Sequence, residues 1–333
     1  MKLNYSFIIP VYNRPQEIKE LLESFILLQY HDDFEIVIIE DGSTETSEKI
    51  CKSFSTQLEI SYYKKENSGP GSSRNYGMKR AKGNYFIILD SDCILPPHYL
   101  NTIEAYLTTD FVHCFGGADT DHQDFSHLQK AINYTMTSFF TTGGIRGSEK
   151  SISRFEPRSF NMGLSKEAFK RTGGFAKIHP GEDPDLSHRI VNAGFNTAFI
   201  PNAYVYHKRR ISWKKFYTQV KKFGLVRPIL NSWHPQSSKF VFWLPTAFVF
   251  FVMTLLLISI LINKAFILPL LLYMMLIGID SAIKNKSVSI GVLSVIAMFI
   301  QFFGYGISFF KSNFYINILK RDPEKQFPNL FFK

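Results

Sequence analysis

Apolar and polar positions alternate along this chain in two different ways, and the change comes near residue 210. Short apolar runs come first. Ser6–Val11, Phe34–Ile39, Leu58–Tyr63 and Tyr85–Leu89 each read as a buried strand. Between them lie segments of helical spacing. Pro15 opens one that carries Ile18, Leu21, Leu22 and Phe25, a polar one runs to Phe54, and another covers Ser72–Lys82. Strand and helix alternating with short connections predict an α/β domain: a mostly parallel central sheet, Rossmann-like, with helices on both faces. Farther along, Phe111–Phe115 reads as a strand and Phe125–Thr142 as partly helical. Ser165–Arg171 and Asp185–Asn192 read as short helices, and Thr197–Ile200 and Tyr204–Tyr206 as edge strands.

After residue 210 the pattern is different. Trp213, Phe216, Tyr217, Val220 and Phe223 line one side of a helix, with Lys214, Lys215, Lys221 and Lys222 on the other. Such a helix lies in a membrane interface or packs on the domain. Phe240–Ile262 then has no charge, and Ala265–Ile283 has only Asp280 near its end. Both are long enough to span a bilayer. Val288–Phe310 is a third apolar segment, weakened by Gln301, Gly304 and Gly306. Three crossings would put Lys311, Lys320, Arg321 and Lys325 on the far side, against the positive-inside tendency. Four regions follow: a domain over 1–210, a basic amphipathic segment over 211–239, a transmembrane region of two to three helices over 240–310 and a basic tail over 311–333.

Charge and cysteine usage sharpen this. The net charge is +10, and the segment from Lys208 to Lys239 holds nine Lys or Arg and no acid. Beside an apolar region, anionic lipid is the expected partner, and nucleic acid is not. The three cysteines, Cys51, Cys93 and Cys114, show no metal-type spacing and fit a reducing compartment. The apolar run near the N-terminus is too short for a signal-peptide core. The expectation is a multi-pass protein of the cell inner (plasma) membrane with its first domain in the cytoplasm.

Three acids collect at one sheet edge. Asp41 ends the second strand, and Asp90 with Asp92 ends the fourth. In such sheets ligands sit outside the carboxyl ends of the strands. An acid pair tolerates its own repulsion when a divalent cation or a polar ligand sits between. Ser68-Gly69-Pro70-Gly71 leads into a helix N-terminus, which attracts phosphate, although no Walker Gly-Lys-Ser/Thr follows.

Phe7-Ile8-Ile9-Pro10-Val11-Tyr12-Asn13-Arg14, Glu40-Asp41-Gly42-Ser43, Arg74-Asn75-x-Gly77, Asp90-Ser91-Asp92 and Glu182-Asp183 together resemble family 2 of the nucleotide-sugar glycosyltransferases, of GT-A fold, over residues 5 to 210. The basic segment before apolar helices is similar to members that build bacterial polysaccharides or lipid-linked glycans. The resemblance implies a metal-dependent, inverting transfer from a nucleotide sugar, UDP-linked by expectation, to a membrane-associated, lipid-linked or saccharide acceptor. Asp92 would ligate Mn²⁺ or Mg²⁺ with Asp90 in support, and His207 would be a third ligand. Pro10, Tyr12, Arg14, Asp41, Arg74 and Ser91 would contact the donor, with Asp41 on the base. Asp183 would be the general base and Glu182 would orient the acceptor or the loop. Asn75 would brace the Gly-rich loop, Asn161-Met162-Gly163 would line the sugar side, and Asp185 would cap the following helix. Gln219 and Arg227 do not form the Gln-x-x-Arg-Trp of processive synthases, so processivity is not expected. The rival readings are a nucleotidyltransferase, for which the basic Gly-rich loop at the first strand is missing, and a membrane scaffold with a degenerate transferase domain.

Overall fold

A computed structural model describes residues 2–120, 125–143, 155–207 and 212–332. The first half reads β1 (Tyr5–Val11), α1 (Pro15–Ile26), β2 (Phe34–Asp41), α2 (Glu48–Phe54), β3 (Ile60–Lys65), α3 (Pro70–Arg80), β4 (Tyr85–Leu89), β5 (Cys93–Ile94), α4 (Tyr99–Thr109) and β6 (Cys114–Thr120). Next come α5 (His127–Thr137), α6 (Phe139–Thr142), β7 (Asn161–Ser165), α7 (Lys166–Thr172), α8 (Glu182–Asn192), β8 (Thr197–His207) and α9 (Trp213–Trp233). Three apolar helices follow: α10 (Leu244–Leu261), α11 (Leu268–Asn285) and α12 (Val288–Asn313).

The chain divides into two compact units. One holds 1–122, 152–208 and 331–333, and the other holds 123–151 and 209–330. Helices α5 and α6 thus group with the apolar helices, although the sequence alone assigns them to the first domain.

In the first unit one eight-stranded sheet runs β3-β2-β1-β4-β7-β6-β8-β5. Strands β3, β2, β1 and β4 are parallel, as the alternation predicts. Strand β7 lies antiparallel to both β4 and β6, while β6 and β8 are parallel. Alternation along the strands feeds two cores. Phe7, Ile9, Ile36, Ile38, Ile87 and Leu89 pack with Leu21 and Phe25 of α1 and Leu100 and Ile103 of α4. Their neighbours Ile8, Val37, Phe86 and Ile88 face the other way, onto Met78 of α3, Phe169 of α7 and Leu186 of α8. With both faces covered, the strands read as continuous apolar runs.

Several expectations change. The strand expected at Phe111–Phe115 starts only at Cys114, because Phe111 is exposed beyond α4. The two expected edge strands are one strand, β8, and it lies inside the sheet between β6 and the two-residue β5. Strand β7, whose residues Asn-Met-Gly-Leu-Ser are weak strand formers, is buried along its whole length. Tertiary context there overrides propensity. Helix α8 begins at Glu182 behind Gly181, so Asp185 is not its cap. Asp185 is buried and pairs with Arg189 one turn on, at 2.6 Å.

In the second unit three helical segments, Phe240–Leu261, Lys264–Asn285 and Val288–Ile318, are long and apolar enough to cross a membrane. Many of their large apolar side chains, Phe250, Leu257, Leu272 and Ile279 among them, are exposed, as a lipid-facing surface requires. The apolar stripe of α9 is not bare. Phe216 and Val220 bury against Ala297 of α12 and Ile132 and Met136 of α5. Glycines make the α9–α12 seam close: a Cβ on Gly224 would stand 2.4 Å from the Tyr305 carbonyl oxygen.

Candidate active site

The loop after β2 is built by Glu40, not by its neighbour Asp41. Glu40 is fully buried and accepts from the Ser47 N–H at 2.8 Å, the Ser47 hydroxyl at 2.6 Å and the Tyr62 hydroxyl at 3.0 Å. The Ser43 hydroxyl donates to it as well, and in turn receives the Asn13 N–H at 2.8 Å. Asn13 Oδ1 takes the N–H groups of Thr44 and Glu45 at 2.8 and 3.1 Å. The turn after β1 and the turn after β2 are thereby locked together. Asp41, the last residue of β2, is buried beside them, and its Oδ1 accepts from Lys65 Nζ and, at 2.9 Å, from the Ser68 N–H. Pro10 is the half-buried position of β1, between buried Ile9 and Val11, and Tyr12 beyond the strand is more than half exposed.

Helix α3 starts at Pro70 behind Gly69, whose φ of +86° and close neighbour Phe332 both exclude a side chain. Arg74, one turn in, is buried. Its Nη2 reaches Asp90 Oδ1 at 2.7 Å and its Nη1 reaches Glu182 Oε1 at 3.3 Å. Its guanidinium also lies 5.2 Å from the Phe175 ring centroid. Burial alone would lower the Arg74 pKa, but the charges of Asp90, Asp183 and Glu182 outweigh it and raise the value. Asn75 braces the neighbouring loop: its side chain donates to the Phe175 carbonyl and accepts from the Phe175 N–H, both at 2.8 Å.

Asp92 stands three residues past β4, next to buried Ser91, and its Oδ2 accepts from Arg14 Nη1. Each member of the acid pair thus has its own arginine, which offsets their mutual repulsion.

Glu182 and Asp183 occupy the first turn of α8, where the helix dipole favours negative charge. Burial alone would raise Glu182, but a 2.8 Å hydrogen bond with His179 Nδ1 and the charges of His179 and Arg74 hold it below the ordinary carboxylate range. Asp183 goes the other way, up to about 6. Burial is the main cause and the neighbouring Glu182 charge the second, with Arg74, Arg158 and Ser159 pulling back. The residue is partly open, yet its Oδ1 is shut from solvent and has no hydrogen-bond partner among the described residues.

The structure therefore brings Arg74, Asp90, Glu182 and Asp183 into one network and holds Asp92 and Arg14 as a pair. It does not tie Asp41 to them: Asp41 pairs with Lys65. Asn161 serves the sheet, accepting from the Tyr99 hydroxyl at 2.6 Å and donating to the Ala203 carbonyl at 2.8 Å. His207 ends β8 opposite Cys93 in register, and its side chain lies outside the described residues. His179 and Lys65 are the site residues that sequence reasoning misses. His179 stands three residues before Glu182, a spacing that is suggestive only once the turn before α8 is known.

Asp90 and Asp92 offer hard oxygen donors, the type that suits Mg²⁺ or Mn²⁺. No group of three His, Cys, Asp or Glu poised for a metal occurs among the described residues. The pair therefore fits the mode in which one or two carboxylates share the ion with substrate phosphates.

Residues 6–173, half of the chain, match the model of glycosyl transferase family 2. An uncharacterized glycosyltransferase of Rickettsia felis is 38% identical over 136 residues, 41% of this chain and 22% of that protein. The minor teichoic acid biosynthesis protein GgaA of Bacillus subtilis is 27% identical over 158 residues, 46% of this chain and 31% of that protein. The chain thus spans less than a third of these relatives' length. Among solved structures, the mannosyltransferase PcManGT of Pyrobaculum calidifontis, in complex with GDP-Man and Mn²⁺, superposes with a TM-score of 0.66 at 14% identity, covering 92% of this chain and 87% of that one. That likeness extends to the fold, which is GT-A.

Proposed function

This chain belongs to glycosyl transferase family 2, and from that membership we propose a single-displacement, inverting transfer from a UDP-sugar, dependent on Mn²⁺ or Mg²⁺, to a hydroxyl of a lipid-linked saccharide in cell-envelope polysaccharide or glycolipid synthesis. The observation that carries it is Arg74, which joins Asp90 on the donor side to Glu182 beside the base. Asp41, the last residue of β2, accepts the N–H of the base. Arg14 and Tyr12 flank the donor from the loop after β1, with Pro10 and Ser91 shaping its floor. Asp92, supported by Asp90 and with His207 as the third ligand, would hold the cation, which would supply positive charge to the leaving diphosphate.

Asp183 takes the proton from the acceptor hydroxyl as that oxygen attacks the anomeric carbon. Its lack of a donor at Oδ1 and its raised pKa support this role. Glu182 is held ionised and fixes the turn on which Asp183 sits. Burying Arg74 between the two acids keeps donor and acceptor ends in a fixed relation, the kind of orientation that supplies much of an enzyme's rate.

The membrane placement is an inner (plasma) membrane with the transferase unit cytoplasmic. The basic α9 supports that side. So does the path of the chain. Phe331 bridges Ile178, and the Phe332 N–H donates to the Lys177 carbonyl at 3.0 Å. Residues 207 and 331 belong to the same unit, which supports an even number of crossings between them. Helices α10 and α11 cross, while α12 stays on the transferase side. The lysines after α12 then lie on the same side as those of α9.

The test is a melting-temperature panel of nucleotide sugars with and without Mn²⁺. A binder stabilises by mass action, by about 2.7 kcal/mol at a hundredfold excess over its Kd. A UDP-sugar that raises the melting temperature only with the cation supports the reading. Binding that is indifferent to chelator counts against it.

A further inference from the structure

Between α9 and α12 runs a groove of about 350 Å³ that the sugar chemistry does not use. Its walls are apolar, with Leu225, Phe303, Ile307 and Phe327 among them, and its charges are Lys221 and Lys311; no acid lines it. Neither lysine forms an ion pair with a carboxylate among the described residues. Lys311 is the first charge after the uncharged run Val288–Phe310.

The groove is fixed by its seam. A Cβ on Gly304 would stand 2.8 Å from Val220 Cγ2, and the Ser312 hydroxyl donates to the Leu225 carbonyl at 2.6 Å. Helices held this closely do not slide, so the groove exists before any occupant arrives. A groove lined by two lysines, no acid and hydrocarbon walls matches one kind of molecule: an anion carrying long apolar chains. Two ammonium groups that have no carboxylate partner among the described residues attract a phosphate. Exposed Ile307 beside Phe303 gains by covering hydrocarbon.

We propose that α9 and α12 form a binding site for an anionic phospholipid, with its phosphate between Lys221 and Lys311 and its acyl chains along Phe303 and Ile307. The site holds the amphipathic helix on the bilayer through a specific lipid and not through diffuse charge alone. It rests on the membrane placement proposed above and not on the sugar transfer.

The experiment uses the full chain in nanodiscs of phosphatidylcholine with graded phosphatidylglycerol, and native mass spectrometry counts the lipid retained after transfer to detergent. Wild type is expected to retain phosphatidylglycerol over phosphatidylcholine. Lys221→Ala with Lys311→Ala is expected to lose that preference by about 25-fold, roughly fivefold per lysine. Lys214→Ala with Lys215→Ala, which removes equal charge from α9 outside the groove, is expected to keep it. The single variants Lys221→Gln and Lys311→Gln are read in the same way, should the double variant fold poorly. Equal loss in both double variants, no preference in wild type, or full displacement by glycerol phosphate without chains overturns the site. A wild type that enters the nanodisc yet shows no preference overturns the site alone. A wild type that does not enter the bilayer overturns the membrane placement as well.

Discussion

Arg74 Nη1 lies 3.3 Å from Glu182 Oε1, across 108 positions of sequence, with both side chains buried. This contact, more than any single motif, makes one site out of two ends of the domain. Helix α3 delivers the arginine from below the Gly-rich loop, and the first turn of α8 delivers the acid. Removing the arginine leaves buried Glu182 with His179 but without its guanidinium, and takes from Asp90 the Arg74 contact.

Arg74→Ala is therefore expected to destabilise the first unit by about 3–5 kcal/mol, the cost of breaking a buried pair from one side. Arg74→Lys keeps the charge but reaches one acid at a time, so it is expected to retain most of the fold and lose most of the turnover. Thermal unfolding and rate measured on both variants separate the two effects.

As the proposed base, Asp183 is expected to set the pH dependence. Its folded pKa, about 6, lies above its ordinary value of 3.8. A base works ionised, so kcat/KM is expected to fall as pH drops below about 6. Stability has the opposite sign. A raised acid favours the folded state below the ordinary pKa, and that contribution is lost as pH rises through about 6. At pH 8, Asp183→Asn is thus expected to be as stable as wild type or more so, by on the order of 1–2 kcal/mol, while losing activity. A variant that melts well below wild type at pH 8 contradicts this assignment.

Much of this was legible in the chain. The parallel half of the sheet follows from apolar runs alternating with helical spacing, and the acids at its edge follow from where those runs stop. Strand β7 was not legible, because Asn161, Gly163 and Ser165 hide a strand that is held by its neighbours. Nor was the start of α8. Gly181 caps it in a left-handed conformation that sequence rules assign to helix ends more than to helix starts, and so Asp185 looked like the cap. Arg74 read as a ligand for the nucleotide, since nothing in local sequence reveals an acid 108 positions away. The buried acid Glu40 was hidden behind the better-known turn chemistry of Asp41-Gly42-Ser43.

Glycine at position 163 is a packing requirement. A Cβ there would stand 1.9 Å from the Phe115 ring, which itself stacks on Tyr85 at 6.0 Å between centroids. Gly163→Ala is expected to cost about 1–3 kcal/mol, the usual penalty for overpacking, visible as a lowered urea midpoint.

The proposed even number of crossings is tested by thiol labelling. Cys51, Cys93 and Cys114 are buried and stay silent. Introduced one at a time in intact cells, Asn263→Cys is expected to react with an impermeant maleimide, whereas Ser287→Cys and Lys325→Cys are expected to react only after permeabilisation. Labelling of Lys325→Cys from outside contradicts the path drawn for α12.

The most direct measurement is UDP release from a UDP-sugar and a lipid-linked acceptor, compared among wild type, Asp183→Asn and Asp92→Asn over a range of Mn²⁺. Wild type is expected to turn over only with the cation. Asp183→Asn is expected to fall by about 10²–10⁴-fold at saturating Mn²⁺, and Asp92→Asn to need far more Mn²⁺ for whatever activity remains. Equal turnover in wild type and Asp183→Asn, undiminished by chelator, would contradict the account.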